Sequence, residues 1–207
     1  MSDPGAVIRV LVADDQALVR GAIVTLLGLE PDLSVVAEAG RGDEVLGLLR
    51  EHEVDVALVD VEMPGLDGIE VCRAIAASGL STRALVVTTF GRPGFVRRAL
   101  EAGASGFVVK DTPASELAAA VRRVHAGERV VDGALAAESL IEGANPLTPR
   151  EQDVLRATLG GAPVAVVARA VHLSEGTVRN HLSSAMAKTG TSTRGEAAVH
   201  ARDRGWL

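Results

Sequence analysis

The sequence lacks a second cysteine, a long apolar run and a leader-like start. Cys72 is the only cysteine among 207 residues, so no intrachain disulfide can form, which favours a reducing, cytosolic setting. Charged residues interrupt every apolar run well before the roughly 18 residues of a membrane span. The start, Met-Ser-Asp-Pro-Gly, has neither the basic nor the apolar segment of a signal peptide. We therefore expect a cytoplasmic protein without a membrane partner.

Charge divides unevenly along the chain. Residues 1–145 carry 13 Lys and Arg against 22 Asp and Glu, and residues 146–207 carry 8 against 5, which gives net charges of −9 and +3. With 47% apolar residues, a chain of this length can bury two modest cores. A basic second part is compatible with a polyanionic partner, although inert domains reach +3 as well.

Short apolar runs alternate with segments of helical period in the first part. The runs, rich in Val, Ile and Leu, are residues 7–13, 34–38, 54–59, 84–87 and 106–109. Helical patterns between and after them include residues 20–29, 42–52, 68–78 and 115–125. Five strands and five helices in this order predict an α/β domain with a doubly wound parallel sheet, (βα)5, over residues 1–127. We expect Cys72, on a predicted helix, to be a small packed side chain.

The strand pattern disappears after residue 127. Residues 128–145 are rich in Ala, Glu and Gly and are interpreted as a partly helical linker. Residues 146–207 show explicit helix starts, with a capping box and Pro at N1 from Thr148 and a serine N-cap at Ser174. They predict a second, all-α domain of four helices.

Polar side chains stand where the predicted strands end. They are Asp14 and Asp15 after the first strand, Asp60 after the third, Thr88 after the fourth and Lys110 after the fifth. Parallel strands bring these ends to one edge, where ligands bind in such sheets. Three carboxylates suit Mg²⁺, which offsets the repulsion between an anionic nucleophile and a phosphate. Taken one at a time, such residues are more often helix N-caps or solvated surface charges. Because they occur together at the strand ends, they predict that Asp60 is a nucleophile and that Lys110 and Thr88 bind phosphoryl oxygens.

These residues carry a resemblance over about residues 7–127. Val-Ala-Asp-Asp at 12–15, Val-Asp-Val-Glu-Met-Pro-Gly-Leu-Asp-Gly at 59–68, Thr-Thr-Phe at 88–90 and Gly-Phe-Val-Val-Lys at 106–110 resemble the receiver domain of two-component response regulators. The resemblance implies that Asp60 accepts phosphate from a sensor histidine kinase. It also implies Mg²⁺ held by Asp14, Asp15, Asp60 and a backbone carbonyl at Glu62, and a switch through Thr88 and Phe107; by itself, Phe107 is more simply a core aromatic.

One segment of the first domain departs from that family. Gly-Arg-Pro-Gly at 91–94 stands where relatives more often have an acidic run opening the fourth helix. Two glycines and a proline predict a loose or late-starting helix. Glu62 and Phe90 are expected near the path of the water that removes the phosphoryl group.

The second domain contains a helix, a short turn and a capped helix at residues 164–171 and 174–188. Such a pair can place its second helix in the major groove of DNA, although most short helix pairs are structural. Spacing predicts that Val178, Leu182 and Met186 face the core. The side chains predicted to contact DNA, through bases or phosphates, are Thr177, Arg179, Asn180, Ser183 and Lys188.

A second resemblance spans residues 146–207. Leu-Thr-Pro-Arg-Glu at 147–151, Leu-Ser-Glu-Gly-Thr-Val-Arg-Asn-His at 173–181 and Ala-Lys-Thr-Gly at 187–190 resemble the LuxR-type helix-turn-helix of the NarL/FixJ regulators. It implies a four-helix module that binds double-stranded DNA as a dimer, with residues 193–204 as the dimer helix. The first helix of the pair, residues 164–171, which we call the scaffold helix, departs from the family because its start lacks polar residues. We interpret Val164 and Val166 there as core residues, with exposure as the alternative.

The combined prediction is a cytoplasmic transcriptional response regulator. Phosphorylation of Asp60 with Mg²⁺ would favour a homodimer that binds an inverted repeat. The chain would not be an enzyme beyond assisting its own phosphotransfer and dephosphorylation. A transcription factor controlled by a ligand or partner remains open, as does a phosphatase with an aspartyl nucleophile; Glu62 has the spacing of such an enzyme's second acid, but no substrate-covering cap is evident.

Overall fold

The computed structural model describes residues 7–89, 93–131 and 145–207, and the chain divides into two compact units. The first is built around a parallel β-sheet, and the second consists of helices. The fold class predicted from the sequence is confirmed.

Six parallel strands form the sheet, in the order β2-β1-β3-β4-β5-β6. Their bounds are β1 Ile8–Ala13, β2 Leu33–Ala39, β3 Val56–Val59, β4 Arg83–Thr88, β5 Gly106–Val109 and β6 Val130–Val131. The sequence predicted the first five but placed residues 130 and 131 in a linker. Those two residues pair with Gly106 and Phe107 of β5 and extend the sheet to six strands. Residues 132–144 of the predicted linker lie outside the described residues.

Among the described residues, five helices accompany the strands: α1 Ala17–Leu27, α2 Gly42–His52, α3 Gly68–Ala77, α4 Pro93–Glu101 and α5 Ala114–His125. α1 contacts α5 and α2 contacts α3, and both α1 and α5 bury apolar side chains against the strands. Cys72 on α3 is fully buried, as predicted, and burial raises the pKa of its thiol to about 12. The segment at 91–94, predicted to delay the fourth helix, is described only from Pro93, where α4 begins.

Tight packing holds the loop after β3 against the end of that strand. A Cβ atom on Gly68 would lie 2.0 Å from the carbonyl oxygen of Asp60, so only glycine fits there. The Gly68 amide donates to the Val61 carbonyl at 2.9 Å. Asp67 then begins α3 with a capping box that it shares with Glu70. The backbone of Asp60, the first residue after β3, is thus held in place by this loop and by the start of α3.

The second unit contains the four predicted helices: α6 Pro149–Thr158, α7 Val164–Ala170, α8 Glu175–Thr189 and α9 Arg194–Asp203. Thr148 caps α6 in a capping box with Glu151, and the side chain of Ser174 caps α8. The core of this unit is formed by its own residues, namely Leu147, Val154, Leu155, Val167, Ala168, Val178, Leu182, Ala185, Ala197, Ala198, Ala201 and Trp206. Within the described residues, none of the helices combines the length and apolar character that crossing a membrane requires.

Candidate functional site

Three carboxylates meet at the carboxyl edge of the sheet. Asp14 and Asp15 follow β1 and Asp60 follows β3, and each offers an oxygen within 4.8 Å of the other two. Asp14 and Asp60 are buried, with 2% and 4% of their surface exposed, whereas Asp15 is exposed. The structure therefore brings together the acidic residues that the sequence predicted as one cluster.

Lys110 joins the two buried carboxylates. Its Nζ atom lies 2.7 Å from Asp14 Oδ2 and 2.8 Å from Asp60 Oδ2. The Lys110 amide also donates to the Thr88 carbonyl at 2.7 Å, which fixes the end of β5 beside β4. The ammonium is thus held at the centre of the cluster, beside the predicted nucleophile.

The two charges of this pair affect each other's ionisation. Burial raises the pKa of Asp60, against the hydrogen bond and charge of Lys110, which lower it. Burial by itself would lower the pKa of Lys110, but its hydrogen bonds to Asp14 and Asp60 outweigh that effect and raise it. Lys110 therefore stays protonated and supplies a positive charge next to Asp60.

The second oxygen of Asp60 is bound by the backbone. The Val61 amide donates to Asp60 Oδ1 at 2.7 Å, while Lys110 occupies Oδ2. This arrangement fixes the orientation of the Asp60 carboxylate.

Thr88 and Phe107 lie where the switch residues were predicted. Thr88 ends β4 and is 5% exposed, and no described residue makes a hydrogen bond with its hydroxyl. Phe107 is fully buried on β5, next to Val86 of β4.

The side chain of Glu62 is exposed and stands apart from the acidic cluster. Phe90 lies outside the described residues.

Arg20 also borders the site, although it was not among the residues predicted from the sequence. Its Nη1 atom donates to the main-chain carbonyl of Asp14 at 2.5 Å, and its Nε atom lies 3.3 Å from Glu38 Oε2. The Arg20 side chain is 21% exposed. Arg20 stands five residues after Asp15, and a contact with a main-chain carbonyl leaves no pattern in the sequence that could have identified it.

The donor set fits a magnesium ion. Three carboxylates and one ammonium leave two uncompensated negative charges, which a divalent cation would neutralise. Carboxylate oxygens are the ligands that Mg²⁺ prefers, and the exposed Asp15 keeps the cluster open to water and to a phosphoryl group. Asp14, Asp15 and Asp60 would hold the ion.

The second candidate site is the outer face of α8 in the second unit. Val178 and Leu182 are buried and Met186 packs against the same core, as predicted. Arg179, Asn180 and Ser183 lie outside that core, with Arg179 and Asn180 exposed. The hydroxyl of Thr177 is bonded to Ser174 at 2.8 Å, within the helix cap. The outer face thus offers a guanidinium, an amide and a hydroxyl.

Both cations that were predicted to contact DNA form ion pairs within the second unit. Arg179 Nη2 lies 2.8 Å from Glu175 Oε2, one turn earlier on the same exposed face. Lys188 Nζ lies 2.7 and 3.0 Å from the two carboxylate oxygens of Glu151 on α6. Because Glu151 is only 3% exposed, the structure gives Lys188 a role in joining α6 to α8, which the sequence pattern did not indicate.

Both carboxylate oxygens of Glu151 accept hydrogen bonds. Ser184 Oγ donates to it at 2.6 Å and the Thr148 amide at 2.7 Å. Burial opposes its ionisation, but the bonds from Lys188, Ser184 and Thr148 prevail and lower the pKa of Glu151 to about 2. This network fixes α8 to α6.

The valines of the scaffold helix are divided between core and surface. Val164 packs partly against the core, as predicted, but Val166 is 41% exposed, so the interpretation of Val166 as a core residue was wrong. The reason is helical geometry, because Val167 and Ala168 form the buried side of this seven-residue helix.

Comparison with known families agrees with this division of the chain. Residues 10–122 match the family described as the response regulator receiver domain. Residues 145–201 match the bacterial regulatory proteins of the luxR family.

Similar proteins contain both parts. The chain is 38% identical to the uncharacterized transcriptional regulatory protein YvfU of Bacillus subtilis over 97% of its own length and 100% of the relative's. It is 36% identical to the transcriptional regulatory protein DesR of the same organism, over 97% and 99%. The crystal structure of ChrA, a response regulator of a heme-sensing two-component system, covers 98% of this chain and 100% of its own, with a TM-score of 0.59 and 32% identity. The chain thus belongs to the two-component response regulators of the NarL/FixJ type, which join a receiver domain to a LuxR-type DNA-binding domain.

Proposed function

We propose that Asp60 is the phosphoacceptor through which this response regulator is controlled. The observation that carries the proposal is the placement of its carboxylate, buried among two other acids and bonded to Lys110 at 2.8 Å. The Asp60 carboxylate is buried and held by fixed partners, while the exposed Asp15 side leaves an approach for a phosphodonor.

The reaction transfers a phosphoryl group from a phosphohistidine of a sensor kinase. An Asp60 oxygen forms a bond to phosphorus, and the bond between phosphorus and the histidine nitrogen breaks, with its electron pair returning to that nitrogen. The Val61 amide holds one oxygen of Asp60, so that the other, now shared with Lys110, is the attacking atom. Lys110 then moves its charge to the phosphoryl oxygens, while the hydroxyl of Thr88 donates to one of them.

Asp14, Asp15 and Asp60 would bind Mg²⁺, together with the backbone carbonyl of Glu62. When bound, the ion offsets the repulsion between the carboxylates and the incoming phosphoryl group. Outside phosphotransfer and dephosphorylation at Asp60, we assign no enzymatic activity to the chain.

The output is DNA binding by the outer face of α8. Arg179 and Asn180 have the donor patterns that read guanine and adenine, and Ser183 and Thr177 suit phosphates. Phosphorylation, relayed through Thr88 and Phe107, would favour a homodimer in which two copies of α8 read an inverted repeat. Such a protein works on bacterial DNA and therefore in the cytoplasm.

Labelling with a small phosphodonor tests the phosphoacceptor. Wild type incubated with labelled acetyl phosphate and Mg²⁺ is expected to incorporate one phosphoryl group, whereas Asp60→Asn incorporates none. Asp55→Asn is a matched control, because Asp55 precedes β3 at the opposite edge of the sheet. Equal labelling of Asp60→Asn and wild type would disprove the assignment.

DNA binding tests the control. A DNA fragment selected by the protein from a random pool is titrated with wild type, with and without beryllofluoride and Mg²⁺, at a stated salt concentration. The phosphoryl mimic is expected to tighten binding by wild type and to leave Asp60→Asn unchanged. Equal affinity of wild type in both conditions would favour control by a ligand or another protein.

A further inference from the structure

We infer that Arg20 is a positioning residue for the metal site, because it holds the peptide that joins Asp14 to Asp15. This inference rests on the proposed function, since it concerns the same magnesium site. Its basis is the 2.5 Å hydrogen bond from Arg20 Nη1 to the Asp14 carbonyl oxygen, an atom that belongs to the peptide unit between the two acids.

Asp14 is held at each of its polar atoms. Its amide donates to Ala39 at 3.0 Å, its Oδ1 accepts from the Gln16 amide at 2.9 Å, and its Oδ2 faces Lys110. The carbonyl is the remaining group, and Arg20 occupies it. Asp14 thus keeps its place through several independent contacts.

Asp15 is in a different situation. Its side chain is exposed, and no described residue makes a hydrogen bond or an ion pair with its carboxylate. The direction of this carboxylate is therefore set by its backbone alone. Arg20 holds the peptide that precedes Asp15, and the bond from the Gln16 amide to Asp14 Oδ1 holds the peptide that follows it. Arg20 thus helps to orient the one acid of the cluster whose carboxylate has no partner among the described residues.

The guanidinium is itself anchored. Glu38, the penultimate residue of β2, lies 3.3 Å from Arg20 Nε, and a Cβ on Gly40 would lie 3.6 Å from Nη1. Arg20 therefore spans from α1 to the ends of two strands, and its planar fork fits one acceptor on each side.

Electrostatics and positioning predict opposite effects of removing Arg20. A cation beside three carboxylates repels a second cation, so its loss would strengthen metal binding if charge alone mattered. If Arg20 positions Asp15, its loss weakens metal binding, and outer partners of metal ligands typically contribute about tenfold to affinity. The sign of the change distinguishes the two roles.

The experiment measures Mn²⁺ binding to the full chain by electron paramagnetic resonance of the free ion, together with water proton relaxation by the bound ion. Arg20→Gln is expected to weaken binding by about tenfold and to raise the relaxation per bound ion, because water replaces the Asp15 carboxylate. Arg9→Gln removes a guanidinium near the opposite end of β1, where Arg9 pairs with Glu53, and is expected to bind as wild type. Arg20→Lys, which retains a donor for that carbonyl, is expected to recover part of the affinity.

The outcomes distinguish a failure of the positioning role of Arg20 from a failure of the magnesium site. Unchanged or tighter binding by Arg20→Gln overturns the inference, and so does a loss of affinity with no change in relaxation per bound ion, provided that wild type binds Mn²⁺. Failure of wild type itself to bind Mn²⁺ would instead contradict the proposed magnesium site. Circular dichroism melting without metal checks that each variant is folded, and Arg20→Lys serves if Arg20→Gln is not.

Discussion

At the scale of single residues, Gly68 couples the shape of the loop to the phosphoacceptor. An added methyl group at this position would lie 2.0 Å from the Asp60 carbonyl oxygen, and neither backbone can move without disturbing the capping box of α3. Gly68→Ala is therefore expected to lower the free energy of unfolding of the first unit by at least about 1–3 kcal/mol, as for other overpacked sites. Urea unfolding followed by circular dichroism measures the loss.

Gly47 provides the matched control for Gly68. It lies in α2, and a methyl group added to it would have no neighbouring atom within 4 Å. Gly47→Ala should stabilise the same unit by about 0.5–1 kcal/mol, because alanine loses less entropy than glycine in a helix. If both substitutions changed stability alike, the close approach of Gly68 to Asp60 would not be what limits that position.

Glu151 is a buried charged residue of the second unit, and both of its carboxylate oxygens bind Lys188. Glu151→Gln keeps the shape but leaves Lys188 with a weaker acceptor, and the unpaired donor is expected to lower the free energy of unfolding by about 1–3 kcal/mol at neutral pH. Trp206, the only tryptophan of the chain, is buried in the core of this unit and reports its unfolding by fluorescence.

The effect of Glu151 depends on pH in a fixed direction. Its pKa in the folded chain is lowered to about 2 from an ordinary value of 4.5, so the stabilisation is complete above pH 4.5. It is lost as the pH falls from there towards 2, because the unfolded chain binds the proton first. The difference between wild type and Glu151→Gln should therefore shrink between about pH 5 and about pH 3; a constant difference across this range would contradict the ion pair.

At the scale of elements, α8 carries Arg179, the side chain predicted to contact guanine, already paired with an acid. The bond between Arg179 and Glu175 links residues i and i+4 on an exposed face, where such pairs are worth about 0.2–0.5 kcal/mol. Glu175→Gln frees the guanidinium and removes a negative charge next to the phosphates, so DNA affinity should rise. Arg179→Ala should weaken binding by about 1–3 kcal/mol if it contacts guanine.

A double-mutant cycle separates these contributions to DNA affinity. Glu175→Gln in the Arg179→Ala background should gain less than in wild type, because no guanidinium remains to be freed. Loss of affinity from Glu175→Gln in both backgrounds would show instead that Glu175 itself contacts the DNA.

The elements also show which features of the fold were predictable. Runs of Val, Ile and Leu identified five strands because each is long enough to show its burial, whereas β6 has only two residues and exists through its pairing with β5. The acidic cluster was predictable because strand ends in a parallel sheet meet. The partner of Lys188, 37 residues away, and the contact of Arg20 with a main-chain carbonyl leave no pattern in the sequence.

At the scale of the whole molecule, an acidic chain has to bind an acidic polymer. Residues 1–145 carry a net charge of −9 and residues 146–207 carry +3. At about 0.15 M salt the screening length is about 8 Å, so charges farther than that from the DNA contribute little, and we expect the second part to govern the interaction. At about 0.01 M salt it is about 30 Å, and the negative first part then repels DNA as well.

The salt dependence of non-specific DNA binding should therefore differ between the full chain and residues 145–207, whose core is formed by their own side chains. Near physiological salt the two are expected to have the same slope of log affinity against log salt, because the same phosphate contacts release counterions. As salt is lowered, the affinity of the full chain should fall progressively behind that of the fragment. Fluorescence anisotropy with a labelled random duplex measures both, and parallel lines down to about 0.01 M salt would show that the charge of the first part does not reach the DNA.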